Sequence, residues 1–247
     1  TSEATSFLED KSPNKRTQLI DKLIGSAEFA THWTERLSVM LLERLDEGKV
    51  TQKEWDDFLR QSLREKPLWN VMIRQMIEAK GQGPSRPAMK FLGKADHHAM
   101  TEDVARLFLG MDLTCAKCHD HPSVKEWKQA HYWGLFAYLN QTKQATRKKE
   151  DKAYLVESLA SKKVEFESVF DLEKMSTGPR LPNGVEVEIP QFEKGEEYEK
   201  PAEDGLPAVP KFRLRERLAT RQNHARPSRG RAWLPMLSCP PACRLQP

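Results

Sequence analysis

Through the first 140 residues apolar positions recur at helical spacing, in blocks closed off by residues that stop helices. Residues 12–25, SPNKRTQLIDKLIG, put Leu19, Leu23 and Ile24 on one face, with Ser12 as cap, Pro13 in the first turn and Gly25 as stop. Residues 27–47 carry Phe29, Ala30, Trp33, Leu37, Met40, Leu41 and Leu45 in a helical rhythm that Gly48 closes. Thr51 and Glu54 have capping-box spacing, and Trp55, Phe58, Leu59 and Leu63 stripe a third helix that ends before Pro67. Residues 68–79 predict a fourth helix, and GQGPSRP over 81–87 predicts a loop. Thr101 opens TEDVARLFLG, whose acidic first turn suits the helix dipole and whose Val104, Leu107 and Phe108 share a side. A second capping-box pair, Ser123 and Glu126, predicts a helix over 124–140 bearing Trp127, Tyr132, Trp133, Leu135, Phe136 and Leu139.

Beyond this point the period changes. TKQATRKKEDK reads as a charged connector, while VEFESVF and GVEVEIP alternate apolar and polar residues as two short strands, with turn residues in PRLPNG between them. Residues 193–210 are acidic and Pro-rich, which predicts an irregular linker. The pattern predicts a mainly α protein: one helical domain of about six helices over 1–142, a connector with a small β-containing extension over 143–217, and an irregular tail over 218–247.

Composition narrows the function classes. Mean hydropathy is −0.71 and 31% of residues are charged, and no apolar run approaches a membrane span. No export signal can be read at the start, TSEATSFLEDK. The formal charge is +4, but residues 211–247 contribute +8, which leaves −4 on residues 1–210. A mildly acidic body argues against nucleic acid as a partner, because phosphate affinity needs a basic folded surface. After position 211 Lys gives way to Arg and periodicity is lost, as a shifted reading frame or a truncated gene would leave it; resequencing through Gln222 tests that reading.

The chemistry concentrates in LTCAKCHDHPSVKEWKQAHYWGLF, residues 113–136. Cys115, Cys118 and His119 spell Cys-x-x-Cys-His, the attachment signal for haem c: two thiols one turn apart add to the porphyrin vinyl groups, and the adjacent imidazole ligates iron. Two other readings use the same residues. Cys115, Cys118 and one or both of His119 and His121 could clip zinc, or the thiols could be structural without metal. Structural zinc draws on two separated pairs, and the second pair, Cys239 and Cys243, falls in the tail. A second axial ligand could come from His97, His98 or Met111, with His32, His121, His131, Met89 and Met100 also available. His97 and His98 are read as lying in the loop before the motif helix, and His121 is too near His119 to reach the opposite haem face. Trp127, Tyr132, Trp133 and Phe136 are candidate walls of a haem pocket, or an aromatic helical core. Asp120 is a candidate acceptor for a ligand imidazole N–H, or an ordinary turn carboxylate. No nucleophile triad, phosphate loop or carboxylate pair stands out.

FLEDKSPNKRTQLIDKLIGSAEFATHW followed by TEDVARLFLGMDLTCAKCHDHPSVKEWKQAHYWGLFAYLN resembles the secreted, cytochrome-like domain family of unknown function found in planctomycetes. The specific stretch is FLG, CxxCHDHP, a following Trp and an aromatic GLFA helix: Phe108 to Gly110, Cys115 to Pro122, Trp127, and Tyr132 to Ala137. The resemblance implies an exported protein, periplasmic or extracellular, with Cys115, Cys118 and His119 in the haem-site positions. It also implies a longer parent chain with further domains. SVKEW departs from the family's aromatic residue after the proline, and RERLATRQNHAR follows the family only faintly. The expected function is electron transfer through one haem c to an unidentified redox partner. The alternatives are a non-catalytic helical scaffold and a haem enzyme with an open distal site.

Overall fold

The computed structural model describes residues 2–43, 49–65, 69–94, 96–150, 152–170, 172–182 and 184–221. Among them are eight α-helices: α1 (Ser2–Glu9), α2 (Lys15–Ile24), α3 (Ala27–Leu42), α4 (Gln52–Arg64), α5 (Trp69–Glu78), α6 (His97–Asp103), α7 (Gln129–Leu139) and α8 (Leu214–Arg221). Short 3-10 turns occur at Arg86–Lys90 and Cys115–Lys117, and α6 runs on as a π-helical turn, Val104–Phe108. Three antiparallel strand pairs follow the helical part: β1 (Thr142–Arg147) with β2 (Lys152–Glu157), β3 (Val164–Glu167) with β4 (Lys174–Thr177), and β5 (Tyr198–Lys200) with β6 (Val209–Pro210). The architecture is mainly α with a β-containing C-terminal region. Two of the eight helices, α1 and α8, lie where the sequence pattern predicts none.

The start of α4 follows its sequence signal. Thr51 Oγ1 accepts from the Glu54 N–H at 3.2 Å, and Glu54 Oε2 accepts from the Thr51 N–H at 2.8 Å, so two otherwise orphaned donors are met. Arg86 adds a 2.6 Å ion pair to Glu54, tying the loop after α5 onto α4. Trp55, Leu59, Ile73, Met76, Ile77, Phe91, Leu92, Tyr132 and Tyr138 make the centre of one apolar core. α3 packs on α4, α5 on α8, and α7 on α6.

Several boundaries differ from the sequence reading. α3 turns Ala30, Leu37, Leu41 and Leu42 inward with Thr34 and Ser38, so the apolar stripe is rotated and Trp33 and Met40 remain exposed. α6 starts at His97, not Thr101, because Asp96 caps it by accepting from the His98 N–H at 2.8 Å. The Ser123–Glu126 pair caps nothing. α7 starts at Gln129, whose N–H donates to Asp120 Oδ1 at 2.9 Å, so a carboxylate nine residues upstream supplies the cap. The charged connector is a hairpin in which Thr142 pairs with Glu157 and Arg147 with Lys152. VEFE forms β3, but its partner is KMST, not GVEVEIP. In GVEVEIP the alternation does not mark a buried face: of its apolar positions Val187 is buried and Val185 exposed, and the Val187 N–H donates to Pro179 O at 2.7 Å. Gly48 and positions 222–247, with Cys239 and Cys243, lie outside the described residues.

The last helix locks the lower end of α5. Arg215 is 2% exposed; its guanidinium donates to the Ala79 carbonyl at 2.8 Å and pairs with Glu157 at 3.3 Å. Glu157 Oε1 also accepts the Arg215 backbone N–H at 3.0 Å. The Ile77 and Leu155 carbonyls lie at 3.5 and 3.4 Å from the same guanidinium. One cation therefore faces carbonyls at the C-terminal end of α5, the carboxylate of β2 and the start of α8.

Candidate functional site

The Cys-x-x-Cys-His turn is built on the surface and bolted to α7. Cys115–Lys117 form a 3-10 turn in which the Cys118 and His119 N–H groups both point at the Cys115 carbonyl, at 3.3 and 3.4 Å. That geometry turns Ala116 fully inward and leaves both thiols free and exposed. The Lys117 carbonyl receives two donors from α7, Trp133 Nε1 at 3.1 Å and Gln129 Nε2 at 3.2 Å. Gln129, buried, also donates to the Glu167 carbonyl at 2.8 Å, so one amide joins the motif turn to β3.

Hydrogen bonding divides the histidines by which ring nitrogen stays open. In His119 the Nδ1–H donates to the Asp120 carbonyl at 2.6 Å, which in the neutral ring leaves the lone pair on Nε2. Of the two readings of Asp120, imidazole acceptor or turn carboxylate, the structure has the second: its carboxylate accepts from Gln129 N–H and Lys128 Nζ. Burial pushes its pKa up, and those donors outweigh it and hold the group below its ordinary value. In His121, Nδ1 accepts from the Ser123 and Val124 N–H groups at 3.2 and 3.0 Å, so the neutral ring carries its proton on Nε2. His97 donates from Nε2 to the Thr142 carbonyl at 2.6 Å and pins α6 to β1. His32 accepts from Arg36 at 3.1 Å on the exposed face of α3. His131 is buried and accepts the Lys128 N–H at 3.2 Å.

His98 stands apart. It lies 4.7 Å, centroid to centroid, from Phe136 and 5.6 Å from Trp133, and its Nδ1 is 2.7 Å from the Tyr132 hydroxyl. Burial, then the Glu102 and Asp96 charges, push the Tyr132 hydroxyl far above its usual range. The two groups share one hydrogen bond, donated by the imidazole or by the hydroxyl according to the ring's tautomer. Burial, then the Lys117 charge, lower the His98 pKa and keep the ring neutral. His98 and His119 are thus each engaged through Nδ1, His98 with the Tyr132 hydroxyl and His119 with the Asp120 carbonyl.

The remaining candidates are placed as follows. Tyr132 is fully buried, and Trp127, Trp133 and Phe136 are half-buried against the core. Trp133 stacks on Phe166 at 5.8 Å, and Trp127 meets His121 edge-on at 5.1 Å. Met89 and Met100 are buried in the core, and Met111 packs at its margin. A cavity of about 290 Å³ is lined by Lys162, Lys163, Glu186, Val187 and Ile189, and no motif residue borders it. No three His, Cys, Asp or Glu side chains among the described residues converge into a set that could hold a metal ion.

Two parts of the site escaped the sequence reading. Gln129 gave no signal, since a buried amide looks like any surface Gln. Val169 and Phe170 lie beside the motif, the Val169 N–H on the Cys118 carbonyl and the Phe170 ring 5.1 Å from that of His119, and Leu172 follows. Their signal was present: three apolar residues within four positions break the two-residue alternation of a half-buried strand.

The buried His131 makes stability depend on pH. Burial, then the Arg180 charge, lower its pKa from 6.5, so the unfolded chain binds the proton more readily. Its contribution is complete above 6.5 and is lost as the pH falls through the lower folded value. In thermal melts the gap between wild type and His131→Asn should narrow from pH 7 to pH 5; a constant gap would show that His131 does not titrate this way.

Fold and site define a helical domain that presents a Cys-x-x-Cys-His turn at its surface. The chain belongs to the PSCyt2 family, protein of unknown function (DUF1549), whose model matches residues 1–144. No curated protein and no solved structure matches the chain. No described helix is long and apolar enough to cross a membrane.

Proposed function

We propose that this protein is an electron-transfer module that carries one haem c, with Cys115 and Cys118 as thioether anchors and His119 as the proximal iron ligand. The observation that carries the reading is the state of the motif: both thiols are exposed and unpaired on one turn, and the neighbouring imidazole is hydrogen-bonded through Nδ1 with Nε2 left open. A haem c site needs donors with this chemistry, and the thiols need not converge on one ion. Of the second-ligand candidates His97, His98 and Met111, His98 is favoured by its ring contact with Trp133, which is bonded to the motif turn, and by its lowered pKa, whereas His97 Nε2 is taken up by the Thr142 carbonyl. Bound haem would supply one-electron chemistry. The chain's own residues hold it, fix the His119 tautomer and keep His98 neutral.

The module belongs, on this reading, to an exported protein of the planctomycete type with further domains, and it serves a redox partner. The test is maturation in a host competent for cytochrome c assembly. Haem stain that survives a denaturing gel, a Soret band and an intact mass increased by one haem are expected. A colourless product with the mass of the bare polypeptide overturns the proposal. His98→Ala should then convert a low-spin spectrum to one that binds cyanide quickly, while His97→Ala should not.

A second reading is a non-catalytic helical interaction module. Ile20, Leu23 and Ile24 on α2 and Trp33 and Met40 on α3 are exposed, which favours a surface for protein contact. The same maturation experiment separates the two.

A further inference from the structure

Val169, Phe170 and Leu172 are 57%, 78% and 68% exposed, although they lie within four positions of one another. Single exposed apolar residues are ordinary, whereas a cluster points to something that covers it. The cluster is attached to the motif: the Val169 N–H donates to the Cys118 carbonyl at 3.1 Å, and the Phe170 ring stands 5.1 Å from His119. It is also held in shape. The Phe170 N–H donates to Ser168 Oγ at 3.2 Å and the Leu172 N–H to the Ser168 carbonyl at 3.0 Å. Leu172 sits at φ 55°, in the left-handed region that a residue with a Cβ disfavours. A strand continuing past Glu167 would have sent Val169 and Phe170 to opposite faces; here the Val169 backbone meets Cys118 and the Phe170 ring meets His119, with Leu172 two positions on.

The apolar body that belongs next to two thioether-forming cysteines is a porphyrin. We propose that Val169, Phe170 and Leu172 are the cover of the haem edge beside His119, shielding the macrocycle of the same chain from water. The inference rests on the haem reading above and adds to it the residues that set the exposure of the group. A drier porphyrin disfavours the more highly charged ferric state, so the cover raises the reduction potential.

The test is the triple variant Val169→Ser, Phe170→Ser and Leu172→Ser, matured beside wild type in the same host. All three positions are exposed in the protein without haem, so the variant should fold, and thermal melts of both forms prepared without haem check this. The expected result is covalent haem in equal yield, a lower midpoint potential and faster bleaching of the haem by peroxide. Haem-loaded variant with wild-type potential and bleaching rate overturns the cover and leaves the haem reading standing. If that variant instead loses only self-association or a co-purifying protein, the cluster is a protein contact and the proposal is wrong. Wild type that emerges without haem removes both readings together.

Discussion

Replacing Cys115 and Cys118 together by alanine will leave a cytochrome-maturing host with no haem on the polypeptide after denaturing electrophoresis, against a full signal for wild type. Either single variant will keep one thioether bond and a reduced yield. His119→Ala will keep covalent attachment in part but lose the proximal-ligand spectrum. The prediction is sharp because the thiols are not part of the core. They are exposed, the inward residue of the turn is Ala116, and the turn is held by backbone carbonyls that accept from Trp133 and Gln129. Exposed substitutions away from caps and buried networks change stability by about 0.5 kcal/mol or less. The double variant should therefore melt like wild type without haem, and loss of colour cannot be assigned to unfolding. Haem retained covalently by the double variant would refute the assignment of the anchors.

Arg215→Ala will cost about 3–5 kcal/mol of unfolding free energy, read as a lower urea midpoint. The change strands the buried Glu157 carboxylate and removes a donor from the Ala79 carbonyl. Whole domains are stable by only about 5–15 kcal/mol, so this is a large share of the total. Replacing both partners, Arg215→Leu with Glu157→Leu, should recover much of the loss, because no charge is then left buried alone. Arg217 supplies the control on the same helix: it is exposed and stacks its guanidinium over Phe212 at 5.3 Å, so Arg217→Ala should cost about 1 kcal/mol at most. A midpoint for Arg215→Ala equal to that of Arg217→Ala would show that the buried pair does not support the fold.

The sequence disclosed what is local. The Thr51–Glu54 box, the stop at Gly25 and the stripe of α4 are decided within one or two turns, and each is found where its pattern puts it. The motif was legible for the same reason, since its chemistry is set by adjacent residues. What stayed hidden depends on partners far along the chain. Ser123 and Glu126 have the spacing of a cap, yet Asp120 reaches Gln129 first and starts α7 later. His97 and His98 read as loop residues because the cap at Asp96 is a single carboxylate with no box behind it. KMST has no apolar alternation, and it becomes a strand because β3 needs a partner close by. The hydrogen bond of His98 depends on Tyr132, 34 positions away.

The placement of α8 bears on where a working fragment can be cut. A polypeptide ending at 144 would contain every residue of the Cys-x-x-Cys-His turn and the whole of the segment that matches the family. It would also lack β2, Leu214, Arg215 and Leu218, so the floor beneath α5 would open to water, with the Ala79 carbonyl stripped of its guanidinium. Such a product should be prone to clumping and to proteolysis, and a poor vessel for attaching any cofactor. A piece extended through 221 encloses the same turn on a sealed base.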